Sequence, residues 1–303
     1  MSAAATTRAL VDRIEAAVQT DVGRNIGALC EAARGGLWRA AMAIAASPRC
    51  RVGLITGFFV PLGAPPAAET DGPVGAALLA RGLAEIGIPS RLATDAPCRN
   101  ACAVALAAAG AAPVPVDAVA IGAALDPLAE TWRAAGVTHA LSIERCGRSV
   151  DGTPRNMRGQ DIGAHTAPLD ELFTAGPWET IAVGDGGNEI GMGALPRTLI
   201  AAHVEHGATI ACVTAAQHLI VAGVSHWGAY ALIGALAVVR EDWRQPLVRC
   251  LDEDLDARIL ETTLRDGPAV DGVSRLQAPT IDNLDLAAHH RKLRTVRALA
   301  RQA

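Results

Sequence analysis

RVGLITGFFVPLGAPPAAETDGPVGAALLARGLAEIG, residues 51–87, is the stretch that decides the fold. It opens on strand-forming residues bounded by Pro48 and Pro61, crosses a Gly/Pro/Ala loop, and continues as a helical run that ends at Gly87, a residue suited to a left-handed cap. Strand, loop and helix in that order then recur. Strands are expected at RLATD (91–95), PVPVDAVA (113–120), THALSIER (138–145), TIAVGD (180–185) and ATIACVTA (208–215), separated by helix-length segments such as 101–109 and 128–135. Short runs that are apolar on both faces and alternate with helices predict an α/β fold, a mostly parallel sheet with helices on both faces.

Residues 8–46 carry apolar positions at helical spacing and a turn near Asp21–Arg24, which predicts two packed helices leading in over about 1–47. The basic tail predicts a surface helix over about 285–303, and the absence of a repeat or linker predicts one catalytic domain over 1–303. The apolar stretch 207–239 is interrupted by Gln217, His218, Ser225 and His226, so it reads as a buried strand, a loop and a buried helix rather than a membrane span.

Composition narrows the function. With 303 residues, 50% hydrophobic, 19% charged and a net charge of −4, the chain is neither disordered nor basic enough to seek nucleic acid. Its only lysine is Lys292; the other basic residues are all arginine. A pyridoxal phosphate Schiff base or a Walker phosphate loop needs a lysine in the pocket, and neither is expected. The dinucleotide fingerprint GxGxxG is also missing from DGGNEIGMG (185–193), so no nicotinamide cofactor is expected. Seven cysteines without a CxxC pair, and no charged-then-apolar leader, predict free thiols, no thiolate zinc site and a cytoplasmic location.

In parallel sheets ligands collect beyond the carboxyl ends of the strands. Here those ends are followed by ETDGPVG (69–75), ERCGRSVDGTPRNMRGQDIGAHT (144–166) and DGGNEIGMG (185–193). Glu69, Asp71, Asp185 and Glu189 would repel one another in a shared crevice unless a cation sat among them. Such hard oxygen donors suit Mg²⁺, Mn²⁺ or Ca²⁺. ETDGP alone would equally serve as an acidic helix start, with Thr70 or Asp71 as cap and Pro73 in the first turn. Glu144, Asp151 and His226 are the catalytic candidates, His226 as a general base beside Trp227. Arg145, Arg148 and Arg158 are forks for substrate carboxylates, with Asn156, Asp161, Gly186 and Asn188 as further substrate-binding candidates.

Taken together, TGFFVP, AAETDGPVGA, IERCGRSVDGTPRNMRGQDI, VGDGGNEIGMG and, later, DGV (271–273) with APTIDNL (278–284) resemble the D-glutamate cyclase family over most of residues 8–297. The resemblance covers the cyclase portion only, without the further domain and mitochondrial address of the mammalian members. It implies a hydro-lyase that closes D-glutamate to 5-oxo-D-proline with loss of water. Residue chemistry would then give the cation the γ-carboxylate, Glu144 the ammonium proton, and one of Arg145, Arg148 or Arg158 the α-carboxylate. The expected partner is a small amino-acid substrate, and a homo-oligomer is compatible with it. Acids and arginines at strand ends also suit a metal-dependent phosphoesterase or nucleotide-handling enzyme, or a non-catalytic amino-acid sensor.

Overall fold

The computed structural model describes residues 3–111 and 113–303. The first two residues of the expected lead-in lie outside it. Six strands, β1 (Val52–Ile55), β2 (Ser90–Asp95), β3 (Val116–Val119), β4 (His139–Ile143), β5 (Glu179–Gly184) and β6 (His218–Val221), form one sheet. All its pairings are parallel, in the order β3-β2-β1-β4-β5-β6. This is the doubly wound order, in which the chain reverses its direction of travel across the sheet between β1 and β4. The loops leaving β1 and β4 therefore diverge, and a crevice opens between them.

Alternation along each strand builds two cores. Leu54, Leu141, Ile143, Ile181, Val183 and Ile220 face one layer. Its centre is the helix Ser225–Val239, whose residues are buried from Ser225 to Val238. Ile55, Ala93, Ala140, Ala182, Leu219 and Val221 face the other layer, built on Gly27–Ala33, Asp126–Ala134, Leu169–Thr174 and Arg197–His203. A helix apolar all round is the signature of a core helix. Among the described residues no helix is long and apolar enough to cross a membrane.

Two expected elements differ. The lead-in holds three helices, Ala3–Val18, Gly27–Ala33 and Gly36–Ala46. The second break falls at Gly35, which has φ 78°, and buried Glu15 accepts the amides of Gly35 and Leu37 at 2.7 and 2.9 Å there. The expected strand 208–215 is instead a helical turn, Gly207–Ile210, followed by irregular chain, and the sheet takes His218–Val221. The reason is hydrogen bonding: Cys212 N donates to Gly187 O, and Thr214 O accepts from Gly191 N and Gly193 N. This segment braces the 185–193 loop and is not available to the sheet. The seven cysteines are free and buried.

At Gly53, in the middle of β1, a Cβ would lie 2.1 Å from the Trp132 ring, so glycine lets the indole lie flat on the sheet. Trp132 is fully buried, donates to Asp117 Oδ2 at 3.0 Å and meets Trp178 edge-on at 5.5 Å. Trp132→Ala should lower the unfolding free energy by about 3–5 kcal/mol in urea denaturation; a loss below about 1 kcal/mol would contradict this packing.

Candidate active site

The crevice at the switch point receives side chains from three strand ends. After β1, Thr56 Oγ1 donates to Ile143 O at 2.7 Å and ties the end of β1 to the end of β4. After β4 comes Glu144 with φ 43°, a conformation that non-glycine residues adopt at a cost. Gly72, at φ 87°, sits where a Cβ would press on Thr56 Oγ1 at 2.6 Å and Glu144 Cβ at 3.1 Å. That close approach brings Asp71 to Glu144. Asp185 follows β5, and Glu69 ends a short strand, Ala67–Glu69, that pairs in parallel with Ala269–Val270.

The result is a triangle of carboxylates: one oxygen each of Asp71, Glu144 and Asp185 lies within 4.8 Å of the others, and all three residues are buried. The central helix begins against it. Ser225 N donates to Asp185 Oδ2 at 2.9 Å and Asp71 Oδ2 at 3.1 Å, and Ser225 Oγ donates to Glu144 Oε2 at 2.6 Å. The positive end of the helix dipole thus points at the acids. Arg24 bridges Asp185 at 3.0 Å and Asp282 at 2.8 Å. Glu69 adds a further buried carboxyl, whose Oε1 has no hydrogen-bond partner. Glu69, Glu144, Asp185 and Asp282 open onto a cavity of about 850 Å³.

The electrostatic consequence is strong. Burial first, and then the charges of neighbouring carboxylates, holds Glu69, Asp71 and Glu144 well above the usual carboxylate range. Asp185 is also raised by burial, with Arg24 opposing the shift and Glu144 and Asp282 adding to it. Burial works against the charge on Arg24, but Asp185, Asp282 and Glu144 outweigh it and raise that guanidinium. Among the described residues Arg24 is the one cation paired with any of Glu69, Asp71, Glu144, Asp185 and Asp282, which leaves negative charge uncompensated. A hard divalent cation or bound protons would relieve it.

Of the four expected cation ligands the structure brings together Glu69, Asp71 and Asp185, and the catalytic candidate Glu144 lies among them. Asn156, Arg158, Asp161 and Asn188 line the same cavity. Asn188 Nδ2 donates to Arg155 O at 2.8 Å and anchors the long loop to the 185–193 loop. A Cβ on Gly186 would lie 2.5 Å from the Met157 sulfur, so that glycine serves close packing of the two loops. ETDGP is also the start of a helix, Pro73–Glu85, with Pro73 in the first turn as expected; the cap position is Gly72 rather than Thr70 or Asp71, Thr70 donates to Thr280 O, and Asp71 Oδ1 accepts the Gly72 amide at 2.8 Å.

Five more candidates take other roles. Glu189 is not part of the triangle; its two oxygens accept the amides of Asp185, Gly186 and Gly187 at 2.6 to 2.9 Å and hold the glycine loop in shape. Arg145 is fully buried away from the cavity, bidentate to Asp95 and donating to Gly57 O and Ala167 O. Only a matched set of acceptors makes so buried a guanidinium tolerable. Arg148 pairs with Asp170 at 3.0 Å on the flank of the loop. Asp151 is an exposed turn residue that accepts from Ser149, Thr153 and Arg155.

His226 is no general base at the cavity. It is fully buried, with Nε2 at 2.9 Å from Asp256 Oδ1 and 2.7 Å from the Tyr230 hydroxyl, which donates to Asp256 Oδ2. Beside it, Trp227 Nε1 donates to His289 Nδ1 at 2.8 Å, so this ring must be neutral, with Nε2 facing Ile281 O at 3.2 Å. Burial and the adjacent His226 push the His289 pKa down to about 4.

Sequence reading missed Arg24, Ser225 and Asp282. Arg24 sits in a turn that was recognised, where Asp21 Oδ1 accepts the amides of Gly23, Arg24 and Asn25, but nothing local says where its side chain goes. Asp282 had a signal. Asp282 and Asn283, at φ 54° and 59°, form the tight turn of the hairpin Thr280–Ile281 and Leu284–Asp285 within the APTIDNL string.

Fold and site together define an α/β protein with an acidic crevice at the switch point, and the chain belongs to the D-glutamate cyclase-like family. The family profile described as D-glutamate cyclase-like, C-terminal, matches residues 14–297. The chain is similar to the human protein "D-glutamate cyclase, mitochondrial", with 42% identity over 105 residues. That stretch covers 33% of this chain and 17% of the human protein.

Two stability measurements check these assignments. Arg145→Met should cost about 3–5 kcal/mol, because Asp95 is left buried and unpaired; unchanged stability with weakened ligand binding would return Arg145 to the substrate. For His289 the unfolded ring takes up a proton near pH 6.5 and the folded one only near 4, so stability falls as pH drops through that window. The difference between wild type and His289→Gln should grow with pH there, toward about 3 kcal/mol at neutrality relative to pH 4. Parallel stability curves for the two proteins would remove the neutral-ring assignment.

Proposed function

We propose that this chain is a hydro-lyase that closes D-glutamate to 5-oxo-D-proline with loss of water, assisted by a divalent cation held by Asp71, Glu144 and Asp185. The observation that carries this reading is the triangle of buried carboxylates within 4.8 Å, with Arg24 the one arginine paired to it among the described residues. The donor set fits Mg²⁺, Mn²⁺ or Ca²⁺: it is all carboxylate oxygen and buried. When bound, such an ion would neutralise the substrate γ-carboxylate as a Lewis acid, which that carboxylate needs because its charge repels a nucleophile.

The remaining work is proton transfer and positioning. Glutamate loses two protons from nitrogen when the lactam N–C bond forms, and the γ-oxygen that departs gains two to leave as water. A single carboxyl on the cavity can pass each in turn, accepting from nitrogen and donating to oxygen. We assign this to Glu69. It opens onto the cavity, stands outside the triangle and has a free Oε1, whereas Glu144 is engaged by the Ser225 hydroxyl. Of the three forks expected for the α-carboxylate only Arg158 lines the cavity, and Arg24 and Arg275 line it as well. Holding the chain folded brings amine and γ-carbon together, and proximity of that kind supplies several kcal/mol of the barrier.

Purified protein incubated with D-glutamate should yield the lactam, and chelator should suppress it with recovery on adding Mg²⁺ or Mn²⁺. Asp185→Asn should lower turnover by about a hundred-fold or more while the folded spectrum persists. Turnover that survives in Asp185→Asn would remove the triangle from the chemistry. Release of phosphate from esters, or tight glutamate binding without product, would remove the cyclase reading.

A further inference from the structure

Arg275 stands on the cavity wall, half-buried, and among the described residues no carboxylate pairs with its side chain. Arg24, in the same cavity, is taken by Asp185 and Asp282. The backbone at Arg275 is held unusually firmly. Its φ is 63°, its amide donates to Asp271 O at 2.8 Å, and its carbonyl accepts from Ala64 N at 2.9 Å. A long side chain in the left-handed region costs about 1–3 kcal/mol and persists only where the surroundings impose it, typically at ligand clamps.

Those surroundings converge on Asp271, which is fully buried. Asp271 Oδ1 accepts the amides of Val273 and Ser274 at 2.9 and 2.7 Å, and Oδ2 accepts that of Asn283 at 2.7 Å. One carboxylate thus binds the loop that carries Arg275 to the turn that carries Asp282. The same loop is seated on the proton-handling carboxyl: a Cβ on Gly272 would lie 2.1 Å from Glu69 Oε2. Arg158, by contrast, is exposed on the 144–166 loop. Ordering a free side chain there costs more than using one whose backbone is already fixed.

We infer that Arg275 is the anchor for the α-carboxylate of an amino-dicarboxylate substrate, with Asp271 as its positioning residue and Arg158 outside that contact. The assignment rests on the cyclase reading for the identity of the ligand, while the unpaired fork itself specifies a carboxylate. In this arrangement the two ends of a glutamate are held by opposite charges, the γ-carboxylate at the acidic triangle and the α-carboxylate at Arg275.

The test uses the full chain with Mg²⁺ or Mn²⁺ added. Arg275→Gly removes the guanidinium and relieves the backbone, so it keeps the fold; Arg275→Lys keeps the charge without the fork. Loss of a charged hydrogen-bond pair should raise KM for D-glutamate by about 10- to 100-fold with kcat nearly unchanged, with partial recovery in Arg275→Lys. Arg158→Gln should change KM less than about three-fold. An unchanged KM in Arg275→Gly, or a larger rise in Arg158→Gln, overturns the assignment. Calorimetric binding of glutarate separates this from the cyclase reading. If wild type makes no lactam yet binds glutarate, and Arg275→Gly does not, the anchor stands and the reaction falls. Equal glutarate affinity in both proteins, or no binding by wild type, overturns the anchor.

Discussion

Repulsion between buried carboxylates is the constraint on which the rest of this protein turns. Asp71, Glu144 and Asp185 come from three separate loops and would separate if the chain allowed it. Two positive elements hold them: the amide end of the central helix at Ser225 and the Arg24 guanidinium. Each is supplied by a different part of the chain. The helix is locked by its full burial, and Arg24 by a turn that Asp21 closes. The strain at Glu144, with φ 43°, is sustained by the same frame.

This explains why so many polar residues near the crevice do not face it. Glu189 shapes the glycine loop through three amides, and Arg145 with Asp95 forms a buried pair that fastens the chain after β4 to the ends of β1 and β2. Asp271 does the same for the far wall. A concentrated charge site needs a rigid surround, since each acid must resist moving away from its neighbours. Polar side chains supply that surround here because the loops they stabilise have many backbone amides and few apolar contacts.

The family match and the crevice draw on the same stretch of chain. The profile match spans residues 14–297, and the cavity draws its walls from both extremes of that range, Arg24 and Asp282 among them. The helical lead-in is therefore part of the site through Arg24.

Much of this was legible in the sequence. Apolar runs alternating with helical periods pointed to a parallel sheet covered on both faces, because strands buried on both sides need helices over each face, although the same kind of run at 208–215 became a helical turn and irregular chain. Polar strings after the strands determined which loops carry the site, and Glu69, Asp71, Glu144 and Asp185 follow from that rule. Tertiary structure alone decided which charged residue faces the cavity and which supports it. Arg145 finds Asp95, Arg24 finds Asp185 and Asp282, and His226 finds Asp256, each across a long stretch of chain. Local sequence specifies backbone periodicity, whereas the partner of a buried charge is set by which distant segments the packed sheet brings within a few ångströms.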